Sequence, residues 1–315
     1  VAPLYHLKTG KFDFALGVDY TYNYMFLPAT FDEGSSTRRR NYFFPRFQLR
    51  LDVTSGYFVP YIEIDGKLRS NDYRSLMNEN PYISSEAPFG DGGMAVAPNT
   101  VEYNGRVGFT GSFSSSFSYK VYGGASIYKD YITPMNYYGQ YDMSLPASYG
   151  EQMWVQSDSL TMWTVGADLE GRISGAFGVE ASVQYRGFSG GSYEYVSGMP
   201  NFTARLNLRY SYRDKLILNL GGTFLSARHF FQQVVGFYVN PALPGQTDPN
   251  NNQFGYHWYE RVKPTVDLSL SAEYRISPLI GVFVQGNNLI NQKLYRFYHY
   301  PGLGINMLAG VKLSF

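Results

Sequence analysis

Charged side chains in this sequence fall at alternate positions of long segments, not in compact clusters. Arg50 and Asp52, Glu63 and Lys67, Arg106, Glu170 and Arg172, Arg186, Arg205 and Arg209, and Glu273 and Arg275 all follow this rhythm. Side chains so spaced share one face of an extended chain. If that face lines a lumen, they form a polar path for a solute. Both signs are present, whereas an ion-selective ring carries one. The set therefore also reads as opposite-charge pairs that stitch neighbouring strands and fill a narrow interior. Arg186, Arg205 and Arg209 are locally basic, which suits an anion.

Aromatic residues mark a second set. Tyr137, Tyr138 and Trp154 fall in one loop-like stretch and Tyr256 and Trp258 in another. Flat faces of this kind stack on a sugar or a peptide, and they also build small cores for long loops. Arg38-Arg39-Arg40 is a short basic run that fits either an anionic sugar-lipid or plain solvation. Asp248 to Asn252 offers oxygen atoms for a hard cation, with too few carboxylates to hold one. Ser226 and His229 lie close in sequence, but no Asn or Asp beside them forms a recognisable motif. A nucleophile needs its base in reach and a third group to orient that base, so no enzyme is expected. His6, His229, His257 and His299 lack metal-ligand spacing and there is no Cys, so no metal, disulfide or other cofactor is implied.

Composition narrows the class. The 315 residues carry 26 basic and 25 acidic side chains, a net charge of +1 that argues against a nucleic-acid partner. The 30 Tyr, 23 Phe and 33 Gly are wrong for disorder. No run approaches the ~18 apolar residues of a membrane helix. A Tyr- and Gly-rich, Cys-free, weakly charged chain suits a transmembrane β-barrel. The mean hydropathy of −0.26 agrees with this, because only alternate side chains of a barrel face lipid. The chain opens on Val1 without a signal peptide, which reads as a processed or trimmed sequence.

These residues need strands to position them, and the alternation supplies the strands. Phe12, Phe14, Leu16, Val18, Tyr20, Tyr22 and Tyr24 share one face, with Asp13, Asp19 and Asn23 on the other. The pattern returns from Phe47, Phe58, Val101, Phe117, Trp163, Phe177, Phe202, Leu216, Val266 and Met307, and less cleanly over 279–290, where Val282 and Val284 share one face and Phe283 takes the other. About twelve strands result. Short turns near Ser55-Gly56, Ser114–Ser116, Ser174-Gly175, Arg213–Lys215 and Ser277-Pro278 alternate with long loops at 27–41, 70–100, 131–159, 189–200, 229–262 and 291–303. Outer-membrane barrels have short periplasmic turns and long extracellular loops. The expectation is one domain over 1–315, an all-β antiparallel transmembrane β-barrel of 12–14 strands if complete. An even count puts both chain ends on the periplasmic side. A soluble β-sandwich also alternates, but it is usually wet outside and has shorter strands.

The C-terminus carries a resemblance. Gly310, Leu313 and Phe315 resemble the outer-membrane assembly signal, although Leu308 stands where that signal prefers a polar residue. The stretch Val282 to Asn291, followed by Tyr295 to Gly302 and the final strand, is similar to the end of TonB-dependent receptors. The match covers about residues 280–315. The resemblance implies location in the bacterial outer membrane and insertion by the outer-membrane assembly machinery. It implies contact with outer-membrane lipid and lipopolysaccharide, and nutrient transport. Receptors of that family carry a plug and a short coupling box inside a 22-stranded barrel, and neither plug nor box is found here. The chain thus reads as the C-terminal strands of such a barrel. The other readings are a smaller non-transporting scaffold subunit beside other outer-membrane or periplasmic subunits, and a passive channel.

Overall fold

The computed structural model describes residues 3–27, 36–84, 99–140, 152–213, 215–237 and 253–313. The wall strands are β1 (Leu4–Thr9), β2 (Phe12–Leu27), β3 (Ser36–Leu51), β4 (Val59–Ser70), β5 (Asn99–Ser114), β6 (Phe117–Gln140) and β7 (Gln152–Arg172). Then come β8 (Phe177–Ser189), β9 (Phe202–Tyr212) and β10 (Leu216–Leu225). Two strands leave the wall, β11 (Arg228–Phe237) and β12 (Gln253–Val262), before β13 (Thr265–Arg275) and β14 (Ile280–Asn287) resume it. A small hairpin of β15 (Tyr295–Phe297) and β16 (Tyr300–Pro301) precedes the last strand, β17 (Asn306–Leu313). The wall runs β1-β2-β3-β4-β5-β6-β7-β8-β9-β10-β13-β14-β17, each neighbouring pair antiparallel.

The two faces of this wall differ as the alternation requires. Leu16, Val107, Trp163, Val183, Leu206, Leu270 and Val311 are all exposed, as are further large apolar residues along the wall. A monomer in water rarely shows so large a contiguous apolar surface. In lipid the same surface is solvated, and the strand ladder satisfies the backbone. The fold is an antiparallel transmembrane β-barrel wall, and the sandwich reading falls with it.

All twelve strands of the alternation are present, but the wall has one more. Residues Leu4–Thr9 form β1, joined to β2 by a two-residue turn in which Gly10 takes φ +51°. A turn of this length needs left-handed backbone there, which Gly adopts without strain. With β1 added, Leu4 lies at the long-loop end, so an even count with both ends on the periplasmic side does not hold.

Several segments expected as loops are ordered. β6 runs to Gln140 and β7 starts at Gln152, so much of 131–159 is a tall hairpin above the wall. The 229–262 stretch contains the β11–β12 hairpin. The 70–100 stretch opens with helix α1 (Tyr73–Glu79), whose N-cap Asp72 accepts a hydrogen bond from the Ser75 amide at 2.8 Å. The 291–303 stretch holds β15 and β16. In 27–41, β3 begins at Ser36, which places Arg39 and Arg40 in a strand opposite Tyr24 and Asn23.

Candidate functional site

The polar face is laced by ion pairs, both within strands and across them. Arg50 reaches Glu63 at 3.0 Å, and Lys67 reaches Glu102 at 3.3 Å. Glu273 accepts from Arg275 at 3.4 Å and from Lys312 at 3.5 Å. The Arg106 guanidinium lies over the Tyr122 ring at 5.4 Å, and the Lys120 ammonium lies 5.2 Å from the Tyr61 ring. Asp52 serves the short turn instead, accepting from the Gly56 amide at 2.7 Å. Arg172 also sits at a turn, its amide bonded to the Ser116 carbonyl. Arg186 donates to Gln184. Arg209 stands between Gly178 and Asn219 in register.

Between β7 and β13 the polar face opens into a cleft of about 410 Å³. Two rows of register partners cross it. One runs Glu170, Glu180, Asn207, Gly221, Ser269, and the other Asp168, Ser182, Arg205, Thr223, Asp267. The small residues on β10 and β13 leave the space that the longer carboxylates border. Arg205 therefore shares the cleft with Asp168, Glu170, Glu180 and Asp267. Four carboxylates and one guanidinium thus border the cleft, while Arg186 and Arg209 lie outside its lining.

Above the wall the loops pack into a second layer. β5 pairs with β6 only as far as Lys129, which leaves the upper edge of β6 open. β11 takes that edge in parallel, pairing Gln232 through Gly236 with Asn136 through Gln140. An uncovered strand edge is a liability, and the hairpin covers it. Gln232 is 0% exposed and fixes the register. Its Nε2 donates to Asn136 Oδ1 at 3.2 Å, and its Oε1 accepts from the Tyr138 hydroxyl at 3.0 Å.

A small core joins four separate segments, with Leu76 of α1, Ile83, Met153 and Val155 of β7, and Phe297 of β15 packed together. Arg228, at the start of β11, is 5% exposed, and its Nη1 donates to the Tyr295 carbonyl at 2.6 Å. Burial lowers its pKa. Tyr131 is half-buried on β6, and desolvation, with a further contribution from Tyr128, pushes its hydroxyl up to about 12.

The loop aromatics named from the sequence largely meet one another. Tyr137 stacks on Trp154 with centroids 3.8 Å apart, and Tyr138 stacks on Trp258 at 5.8 Å. Tyr256 lies in β12, opposite Val234, and its side chain is outside the described residues. Ser226 Oγ accepts from the Phe202 amide, while the His229 ring stacks on Tyr195, so each has a local partner. At the C-terminal signal, Gly310 pairs with Phe283, whose ring would sit 2.8 Å from a Cβ there. Leu313 pairs with Ile280, and Phe315 lies outside the described residues, as does the Asp248–Asn252 segment. Sequence reasoning missed Gln156, Gln232 and Arg228, whose settings depend on distant segments.

The wall, its turns and its ordered upper layer have the fold of outer-membrane receptor and transporter barrels. Three solved structures show this likeness. The pyoverdine outer membrane receptor FpvA from Pseudomonas aeruginosa PAO1, bound to pyoverdine, superposes with a TM-score of 0.61 at 14% identity, covering 98% of this chain and 40% of that one. The copper transporter OprC gives 0.63 at 11% identity, covering 98% and 46%. The FrpB iron transporter from Neisseria meningitidis gives 0.62 at 14% identity, covering 100% and 44%. The chain thus spans less than half the length of these structures. No protein-family model matches the chain, and no curated protein sequence does. The sequence resemblance to TonB-dependent receptors at the C-terminus is accordingly matched in fold over the whole chain.

Proposed function

We propose that this chain is the barrel part of an outer-membrane receptor that transports a nutrient, with the polar face lining its lumen. The observation that carries this reading is coverage. Almost every residue of the chain superposes on less than half of a receptor or transporter chain. Strand direction supports it. β1 and β17 both run from the long-loop end to the short-turn end, so they are unable to pair antiparallel with each other. Bacterial single-chain barrels use even strand numbers, and a wall of this parity closes when further strands stand between those two.

The solved structures similar to it are a receptor bound to pyoverdine, a copper transporter and an iron transporter, so a metal or metal-chelate is the first cargo to assay. Arg50, Glu63, Lys67, Arg106, Arg205 and Glu273 then form part of the lumen wall, and Gly310, Leu313 and Phe315 serve assembly. Lipopolysaccharide and outer-membrane lipid surround the apolar face.

Uptake of radiolabelled ferric and copper chelates is compared between cells with the full protein and cells without it. Energy-dependent uptake that disappears with the protein supports the reading. Steady conductance through the protein in a planar bilayer, without such uptake, replaces it with a passive channel. Neither activity, together with stable co-purifying subunits, replaces it with a scaffold.

A further inference from the structure

A cavity of about 210 Å³ lies on the polar side of the upper wall, between β7, the end of β8 and the segment 189–196 that folds over them. Its charged groups are both carboxylates, Asp158 and Glu194, set among hydroxyls and one buried side-chain amide. Gln156, on β7, is 6% exposed, and among the described residues its Oε1 meets no donor. A buried carbonyl without a partner costs free energy, so something that donates belongs beside it. Asp158, two residues on, points to the same side of β7. Its carboxylate is held by the Ser159 amide at 2.9 Å and the Ser192 amide at 2.8 Å. Glu194 brings a second carboxylate from the covering segment. Among the described residues that line the cavity there is no Lys, Arg or His.

The remaining walls are organic in character. Leu160, Phe188 and Val196 supply apolar surface, and Tyr193 and Tyr195 supply rings. A bare metal ion makes no use of such walls, and among the described residues no group of three acidic, His or Cys side chains is placed to hold one. The volume is below the ~300 Å³ of a drug-sized site, yet far above the 10–15 Å³ that one water needs.

We propose that this cavity binds a small organic cation with N–H donors, an amine or a guanidine, whose charge meets Asp158 and Glu194 and whose N–H meets Gln156 Oε1. The Tyr rings add a cation–π face. The proposal concerns a binding site and does not rest on transport, so its test is binding to purified protein, whatever the uptake assay returns.

The experiment is calorimetric titration of the full protein in detergent with three probes of equal length: putrescine, 1,4-butanediol and succinate. Putrescine is expected to saturate the site, with butanediol at least about tenfold weaker, as the loss of a charge-assisted hydrogen bond implies, and succinate silent. Glu194→Gln, on an exposed side chain, and Asp158→Asn, an isosteric change, are each expected to weaken putrescine about tenfold. Gln156→Leu is expected to weaken it also. Equal binding of butanediol and putrescine overturns the proposal. So does unchanged putrescine affinity in Glu194→Gln, the variant that leaves the fold intact. Displacement of putrescine by equimolar Ca²⁺ overturns it in favour of an oxygen-ligated metal, and the absence of saturable putrescine binding overturns it outright.

Discussion

Glu170 of β7 and Glu180 of β8 stand directly opposite each other in the wall. Like charges in that position are destabilising. The Asn207 amide, 3.5 Å from Glu180 Oε2, offsets part of the repulsion. Glu180→Gln removes the charge at nearly constant shape, so it is expected to raise stability by about 0.2–1 kcal/mol. The measurement is the urea midpoint of the barrel in detergent. Adding Glu170→Gln should then contribute little, because the pair no longer repels, and full additivity of the two changes would show that they do not interact.

Gln232 seats the β11–β12 hairpin on β6. Gln232→Ala leaves the Asn136 amide and the Tyr138 hydroxyl without that partner in a buried setting. The local cost is about 1–3 kcal/mol. The expected result is faster hydrogen exchange and earlier proteolytic nicking within 228–262, with the heat resistance of the wall unchanged. A loss of wall stability in step with the hairpin would mean that the upper layer is not a separate cooperative unit.

The wall was legible because each of its faces meets one environment along the whole strand. Phe12 to Tyr24 keeps period two over thirteen residues for that reason. β1 escaped because it is short and places Leu4 on the polar face and Leu7 on the apolar one, opposite Gly17 and Phe14. β11 escaped for a different reason. Phe230-Phe231-Gln232-Gln233-Val234-Val235 comes in doublets, and Phe230, Phe231, Gln232 and Val234 are all buried. A strand covered on both faces has no need to alternate. The polar contacts of the upper layer join residues far apart in sequence, 96 positions in the case of Gln232 and Asn136. Nothing local announces such a pair. The charged residues share a face that period two shows, while their individual partners, Glu63 for Arg50 or Glu102 for Lys67, depend on register.

Trp163 and Gly187 are register partners on the apolar face, and the indole lies across the glycine. A methyl group at Gly187 would overlap the ring. Gly187→Ala should therefore push the indole off the wall and shift its environment. The chain has only 3 Trp, so tryptophan emission reports the change once Trp154 and Trp258 are replaced by Phe. A shift in emission maximum with an unchanged circular dichroism spectrum is the expected outcome. An identical spectrum would mean that the strand pair absorbs the methyl group without moving the ring.

His229 carries a pH dependence whose sign follows from its setting. Its ring stacks on Tyr195 with centroids 3.9 Å apart, and its carbonyl accepts from the Gly198 amide at 2.8 Å. Burial first, then the Arg261 charge, hold its pKa below the usual 6.5, while Glu194 acts in the opposite direction. The folded layer therefore favours the neutral ring, and the unfolded segment takes up the proton more readily. The contribution is intact above the unfolded pKa of about 6.5 and is lost as pH falls through the lowered folded value. Exchange at the Gly198 amide, corrected for its intrinsic pH dependence, should thus accelerate between about pH 7 and pH 5, the range in which His charges. His229→Phe keeps an aromatic face against Tyr195 and should flatten that profile. If the acceleration persists in the Phe variant, another group controls the packing of segment 189–200 on the hairpin.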